Sequence, residues 1–357
     1  MAWKVPLTSG SADKAKSFGN VLVTGGAGYI GATVCSALLD AGWTPIILDN
    51  LCQGRKEFTE GRIFYQGDIA DRSLLKNIIQ KHGPLFGAIH CAALIVVPES
   101  VTSPEEYYRE NVSKSVDLFA GLRDVGCQRI VFSSSAAIYD VVDGFMVTET
   151  SPLKPSSPYA RTKFMMEMVL RDFCEAYGMR GIALRYFNPI GADPKMRTGA
   201  YVKLPTHVLG RMVSVSLGKE PTFEITGTNW PTRDGSGIRD YIHVWDLARA
   251  HVKAIENFDQ AFSKNSDQSS KKDSYMVMNL GTGRGVTVRE LVSAFEKVNG
   301  RPINKKEAGP RPGDVAGSFA SCALAASHIG WSSELSIEQG ISDALNWAKT
   351  WDDRRQG

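Results

Sequence analysis

The sequence predicts an α/β protein built on a doubly wound parallel sheet, with a smaller α/β lobe toward its C-terminal end. Three observations carry that expectation. Short apolar runs alternate with helical stretches from Asn20 to Tyr186, the pattern of parallel strands joined by right-handed crossovers. The apolar run Val21-Leu22-Val23 leads at once into glycines spaced Gly-x-x-Gly-x-x-Gly, Gly25, Gly28 and Gly31, and then into a helical stretch from Ala32 to Leu39. After Gly191 the alternation breaks, which marks a second unit.

Strand, glycine turn and helix together form the context of a dinucleotide site of the Rossmann type. The turn needs a residue tolerant of positive φ, and the backbone must approach a pyrophosphate closely. The unsatisfied N–H groups at the helix N-terminus then carry the phosphate charge. Thr44 to Asp49 is a second strand ending in a carboxylate, near the ~20-residue offset at which an acid meets the adenosine ribose hydroxyls. Asp49 either does this or caps a turn. No Arg follows at once to take a 2′-phosphate, so the spacing favours NAD over NADP. Ile63 to Gln66 is a third strand; Asp68 beyond it hydrogen-bonds an adenine or caps the helix starting near Asp71. Gly87 to Cys91 reads as a strand, Pro104 to Val125 as one long helix, and Arg129 to Phe132 as a strand running into Ser133-Ser134-Ser135. Ligands of such sheets lie beyond the C-terminal strand ends, where Gly25, Asp49, Asp68, Ala92 and Ser135 fall.

Pro158 to Tyr177 is helical and places Tyr159 and Lys163 four residues apart, on one face. A cation beside a phenol favours phenolate and lowers its pKa from ~10, which makes a general base usable near neutral pH. Arg180 to Tyr186 is a further strand. Beyond it come a helix Lys203 to Leu217, a short strand Phe223 to Ile225, a helix Val244 to Asn257, a strand Met276 to Leu280 and a helix Thr287 to Val298. The expected division is a flexible tail over 1–19, an NAD-binding Rossmann domain over 20–190 to which 240–283 return, and a second lobe from 191–239 and 284–357. Asp259 to Ser274, rich in Ser, Lys, Asp and Gln, reads as a solvated loop. No internal repeat is visible.

Composition excludes several classes. Lys plus Arg number 41 against 38 acids, without a basic tract, so a dedicated nucleic-acid surface is not expected. The longest apolar run, Cys91 to Val97, is far short of the ~18 residues that span a bilayer, and the first 19 residues lack the apolar segment of a secretory signal. Six cysteines with no Cys-x-x-Cys pair argue against a metal site or disulfide scaffold and for a reducing, cytoplasmic setting.

The combination resembles the extended short-chain dehydrogenase/reductases, and within them the UDP-glucose (UDP-galactose) 4-epimerases. The resemblance runs from about Asn20 to about Trp351. Its carriers are Gly25 to Gly31, Leu48-Asp49-Asn50-Leu51, Gly67-Asp68-Ile69, Ser133-Ser134-Ser135, Tyr159-x-x-x-Lys163, Tyr186-Phe187-Asn188-Pro189, Arg239-Asp240-Tyr241-Ile242-His243-Val244 and Arg311-Pro312-Gly313-Asp314. The resemblance implies Tyr159 as acid/base, Lys163 as its tuner and holder of the nicotinamide ribose, and Ser135 as a hydrogen-bond partner of the sugar 4-oxygen. It implies cofactor contacts from Gly25, Gly28, Tyr29, Ile30, Gly31, Asp49, Asn50, Asp68, Ile69, Cys91, Ala92, Ala93, Asn111, Ser133, Tyr186 and Phe187. For the UDP-sugar it implies Ser135, Tyr159, Asn188, His207, Val208, Glu224, Thr226, Arg239, Arg311, Asp314 and Ser318. Taken alone, Arg239 and Arg311 are surface charge; in a lobe facing a phosphate-binding cleft they make a diphosphate clamp. No metal is implied.

The implied reaction is transient oxidation at sugar C4, return of the hydride to the opposite face, and regeneration of NAD within each turnover. The chain departs from the family pattern at Ile95, where Lys is frequent, and at Thr226, where an aromatic often meets the uracil. Ser318 stands where a bulky Tyr restricts the space beside the sugar; a small residue admits N-acetyl groups, so UDP-GlcNAc and UDP-GalNAc are expected substrates too. Rival readings are a 4-epimerase of UDP-xylose or UDP-glucuronate, a related dehydratase or decarboxylase, and a catalytically silent NAD-sensing protein. Against the dehydratase, Ala136 and Ala137 follow Ser135 where such enzymes carry a carboxylate. The family is commonly a homodimer; Leu118, Phe119, Leu122, Met165, Met166 and Val169 either supply that face or cover the sheet.

Overall fold

The computed structural model describes residues 17–201, 205–263, 273–310 and 315–356, with side chains as far as Trp351. The chain enters as β1 (Asn20–Thr24), turns through the glycines into α1 (Tyr29–Asp40) and returns as β2 (Thr44–Asp49) and β3 (Ile63–Gln66). Next come α2 (Arg72–His82), β4 (Leu85–His90), α3 (Val97–Thr102), α4 (Pro104–Tyr107) and, after one π-helical stretch, α5 (Lys114–Asp124). They lead to β5 (Arg129–Ser135), the short β6 (Met146–Val147), α6 (Pro158–Tyr177), β7 (Arg180–Tyr186) and β8 (Asn188–Ile190). The second half contributes α7 (Val208–Ser216), β9 (Phe223–Thr226), β10 (Ile238–Arg239), β11 (Tyr241–His243), α8 (Val244–Glu256), α9 (Phe258–Ser263) and β12 (Tyr275–Leu280). It ends with β13 (Val286–Thr287), α10 (Val288–Asn299), β14 (Lys305–Ala308), β15 (Gly317–Ala320), α11 (Ala323–Ile329) and α12 (Ile337–Gln356).

Seven strands form one parallel sheet in the order β12-β7-β5-β4-β1-β2-β3. The order reverses between β1 and β4, which opens a crevice beyond their C-terminal ends. Both faces are covered, and the strand period of two sorts the side chains. Val21 and Val23 face one layer with α1, α8 and α9; Leu22 faces the other with α2, α5 and α6. Burying each such side chain contributes about 1.5–3 kcal/mol. A four-stranded sheet, β13-β10-β15-β6, and the pairs β11–β8 and β14–β9 make up the smaller structure on the crevice side.

Several expectations change in three dimensions. The helix predicted over Pro104 to Val125 is interrupted by the π-helical stretch Tyr108–Ser113, which carries the buried Asn111; such stretches cluster at functional sites. The first part of the expected loop over 259–274 is helical instead: Ala261 and Phe262 hide an apolar face among polar neighbours and are buried as α9; residues 264–272 lie outside the described residues. Leu118, Phe119, Leu122 and Met166 are fully buried against the sheet, so they are no outer face; the exposed apolar side chains of these two helices are Val116, Met168 and Tyr177. The second lobe does not keep all of 284–357: Ala325, Ile329 and Trp331 sit in the core under the large sheet. Of the expected tail, only Ser17 to Gly19 are described.

Candidate active site

The glycine turn is tightly built. Gly25 has φ +68°, and a Cβ there would lie 2.7 Å from the Ala92 nitrogen; one on Gly31 would lie 2.2 Å from the Gly25 carbonyl oxygen. The turn after β1 can therefore close against the loop after β4 and the start of α1 only because side chains are absent there. Gly28 caps α1 with no side-chain hydrogen bond, and no acid stands in the first turn. Asp49 is buried, and its two oxygens accept the Leu51 N–H at 2.8 Å and the Ala27 N–H at 3.0 Å. It thus caps the turn, as one of the two readings had it, and still has lone pairs for ribose hydroxyls. Burial pushes its carboxyl above the ordinary range. The cradle of missing Cβ atoms, the bare helix terminus and this carboxylate fit a dinucleotide.

The wall of this crevice is held from behind. Asn111 accepts the Leu94 N–H at 2.8 Å and donates to the Leu94 carbonyl and the Thr162 hydroxyl, each at 3.0 Å. Its amide braces the loop after β4 from the buried π-helical stretch. Asp68 is paired with Lys114 at 2.6 Å and accepts the Ala70 N–H, whereas Asp71 is the residue that caps α2. Asn50 accepts the Cys52 N–H, Ile69 is buried under the sheet edge, and Ile30 packs against the core. Ala93 follows Ala92 in the loop, and Ile95 is exposed.

The three serines ending β5 go different ways. Ser133 Oγ lies 2.8 Å from His251 Nε2 and 3.1 Å from Cys91 Sγ. His251 Nδ1 faces the Leu247 carbonyl at 2.8 Å, so the proton sits on Nδ1 and Nε2 accepts from Ser133. Burial holds this imidazole down at about 4 and the Cys91 thiol up at about 11. Ser134 donates to Glu167, which forms a two-pronged buried ion pair with Arg185 at 2.7 and 3.0 Å. Arg185 bonds Tyr139, and Tyr139 bonds Asn279. Ser135 ends the strand at the crevice edge, near enough to the Tyr159 phenol to lower its pKa.

Tyr159 and Lys163 lie on α6, which begins with Ser157 as cap and Pro158 in its first turn. Both are buried, Tyr159 with 7 % and Lys163 with 1 % exposure. Lys163 Nζ donates to the Ser133 carbonyl at 3.0 Å and lies over the Phe132 ring. Burial lowers its pKa to about 8, while Glu167 one turn later favours its charge. The expected lowering of the phenol by this cation is not the dominant effect. Burial raises the Tyr159 pKa, and the neighbouring Ser135 hydroxyl opposes that. Tyr186 stands beside Ser135 in register, close to Tyr159 and Cys91.

Across the crevice, Asn188 pairs with Tyr241 and bonds the Asp240 carbonyl. The buried Asp240 carboxylate accepts from Thr282, Gly283 and Ala320, joining the ends of β12 and β15 to β10. Arg239 is held by the carbonyls of Ile238, Val315 and Ala316, and Ser318 is its register partner. Phe187 packs with Tyr139, Val147 and Ala320. Thr226 ends β9, Glu224 is paired with Lys306, and Trp230 folds onto Gly227 beside Thr226. His207 caps α7, ahead of Val208, and lines a cavity of about 320 Å³ between α1, α7 and α12. Arg311 and Asp314 lie outside the described residues.

Residues 21–266 match the model of the NAD dependent epimerase/dehydratase family. The chain belongs to that family. It is 39 % identical over 337 residues to the UDP-glucose 4-epimerase of Bacillus subtilis, covering 92 % of this chain and 96 % of the relative. Among solved structures, the UDP-glucose-4-epimerase of Stenotrophomonas maltophila, with bound NAD and formylated UDP-arabinopyranose, superposes with a TM-score of 0.87 at 35 % identity, covering 94 % of this chain and 99 % of that one. The UDP-N-acetylglucosamine 4-epimerase of Methanobrevibacter ruminantium, in complex with UDP-N-acetylmuramic acid, superposes with a TM-score of 0.79 at 28 % identity, covering 94 % and 100 %.

In this member of the epimerase/dehydratase family, the supporting groups His251, Glu167 and Arg185 escaped the sequence reading. Glu167 carried one signal, since it continues the four-residue spacing of Tyr159 and Lys163. His251 and Arg185 carried none, because their partners are 18 or more residues away on other elements.

Proposed function

We propose that this chain interconverts UDP-glucose and UDP-galactose by transient oxidation at sugar C4, with NAD resident on the glycine turn. The observation that carries the reading is the buried triad Ser135, Tyr159 and Lys163 at the edge of the parallel sheet, beside a crevice shaped for a dinucleotide. Bound there, NAD supplies a reversible acceptor for the C4 hydrogen. Tyr159 takes the proton from the sugar 4-hydroxyl and later returns it, with Ser135 sharing the same oxygen. Lys163, held by Ser133, keeps positive charge near the phenol as it loses its proton. Arg239 and Asn188 hold the nucleotide, so binding strength is concentrated away from the reacting carbon and the hexose is left free to turn over.

Ser318, opposite Arg239, leaves room beside the sugar, and we read UDP-N-acetylglucosamine as a further substrate. The exposed Val116 and Met168 on α5 and α6 are the surface we assign to a second copy of the chain in a homodimer. We place the protein in the cytoplasm, a reading supported by six free thiols; no helix among the described residues is long and apolar enough to cross a membrane.

Tyr159→Phe tests the reaction. Turnover of UDP-galactose should fall by about 10²–10⁴-fold, the usual contribution of a positioned acid/base, while bound NAD stays at the wild-type level. A variant that keeps wild-type turnover overturns the assignment and favours a silent NAD-sensing protein.

A further inference from the structure

The segment after β8 runs back along α1 and is anchored to it at intervals. The Tyr29 hydroxyl donates to the Gly191 carbonyl at 2.7 Å, and the Thr33 and Thr198 hydroxyls are 3.0 Å apart. Asp40, the last residue of α1, pairs with Lys195 at 3.0 Å and Arg197 at 2.8 Å, and Arg197 also holds the buried Asp193. The chain then doubles back, so that Tyr201 reaches the loop after β2. Its phenol donates to the Gln53 carbonyl at 2.7 Å, its ring lies under the Arg55 guanidinium at 4.9 Å, and Phe58 meets it edge-on at 5.4 Å. Trp347 of α12 secures the preceding residue through the Ala200 carbonyl at 2.7 Å.

The end point of this strap is the cofactor crevice. A Cβ built on Gly28, the cap of α1, would lie 3.9 Å from the Tyr201 hydroxyl oxygen. Asp49 is close enough for its charge to act on the phenol. The hydroxyl therefore stands between the two features that fit a dinucleotide's pyrophosphate and adenosine ribose.

We propose that Tyr201 retains the cofactor: its hydroxyl, bonded to the Gln53 carbonyl, latches the strap 191–201 across the exit over the pyrophosphate and ribose of bound NAD. This rests on the reading that NAD occupies the glycine turn. Burial holds the phenol neutral, at about 12, so its one proton stays on the Gln53 bond and no phenolate charge faces the phosphates. A cofactor regenerated in every turnover gains nothing from exchange, so a strap that slows release costs the reaction nothing. To leave, the dinucleotide must break the Tyr201–Gln53 bond and lift the ring from between Arg55 and Phe58.

The test uses purified holoenzyme. Exchange of bound NAD against excess fluorescent ethenoadenine NAD is followed in wild type, Tyr201→Phe and Tyr201→Ala, with the unfolding midpoint of the NAD-free proteins measured alongside. Loss of the hydroxyl in Tyr201→Phe should speed exchange about threefold to tenfold, the worth of a net hydrogen bond. Tyr201→Ala should be faster still, and the NAD-free midpoint of Tyr201→Phe should fall by no more than one hydrogen bond of about 1 kcal/mol accounts for. Exchange at the wild-type rate in both variants overturns the strap. A wild type that neither carries nor takes up NAD overturns instead the underlying assignment of the glycine turn.

Discussion

Glu167→Gln probes the buried support beneath the reacting groups. Glu167 and Arg185 have side chains only 4 % and 5 % exposed, joined by contacts of 2.7 and 3.0 Å, with Ser134 on the same carboxylate. Removing one charge leaves the guanidinium uncompensated in the interior, which costs about 3–5 kcal/mol for such a pair. Glutamine keeps one acceptor oxygen, so about 3 kcal/mol, the low end, is expected. The same substitution acts on Lys163, which titrates at about 8 with Glu167 favouring its charged form. At pH 7 the ammonium then outnumbers the amine about tenfold, and without Glu167 that margin shrinks. The assay pairs denaturant unfolding of NAD-free protein with a pH profile of kcat on UDP-galactose. Unfolding should shift to lower denaturant, and the alkaline limb of the profile should move to lower pH. A Glu167→Leu, Arg185→Met double variant should recover most of the stability without restoring the limb. Glu167→Gln unfolding at the wild-type midpoint, or an unmoved limb, would refute the reasoning.

Other consequences are open to direct measurement. Gly25→Ala forces a Cβ to within 2.7 Å of the Ala92 nitrogen at φ +68°, so it should cost about 1–3 kcal/mol and reduce the NAD found in purified protein. Ser318→Tyr should remove turnover of UDP-N-acetylglucosamine while UDP-glucose is still converted, as a coupled assay on both sugars will show; absence of N-acetyl turnover in wild type would count against the open pocket. Burial holds His90 at about 3 and His251 at about 4, below an unfolded value of ~6.5. The unfolded chain therefore binds more protons as the solution acidifies, and these two residues remove about 3 kcal/mol of stability between pH 6.5 and 5, read as a falling unfolding midpoint.

Much of the fold was legible because its signals are local. The bounds of β2, β3, α6 and β7 coincide with their sequence predictions, since each is a short apolar run or a capped helix between breakers. The glycine spacing and the Tyr159–Lys163 spacing are likewise complete within a few residues. Where several weak local signals compete, the reading slipped. Ala261 and Phe262 were hidden in a polar stretch, and Leu118, Phe119 and Met166 could not be assigned to core or surface.

By itself, then, the sequence determined the alternation of strands and helices, the turn that receives a dinucleotide, and the helix face that carries a phenol and an ammonium. These depend on periods of two and 3.6 residues and on the freedom of glycine, all encoded by near neighbours. The tertiary structure alone decided that burial outweighs the neighbouring cation at Tyr159. It also decided that His251, Glu167 and Arg185 support the serine strand, and that Tyr201 crosses 148 residues to reach Gln53. Those outcomes depend on desolvation and on contacts between distant segments, quantities that exist only once the chain has closed on itself.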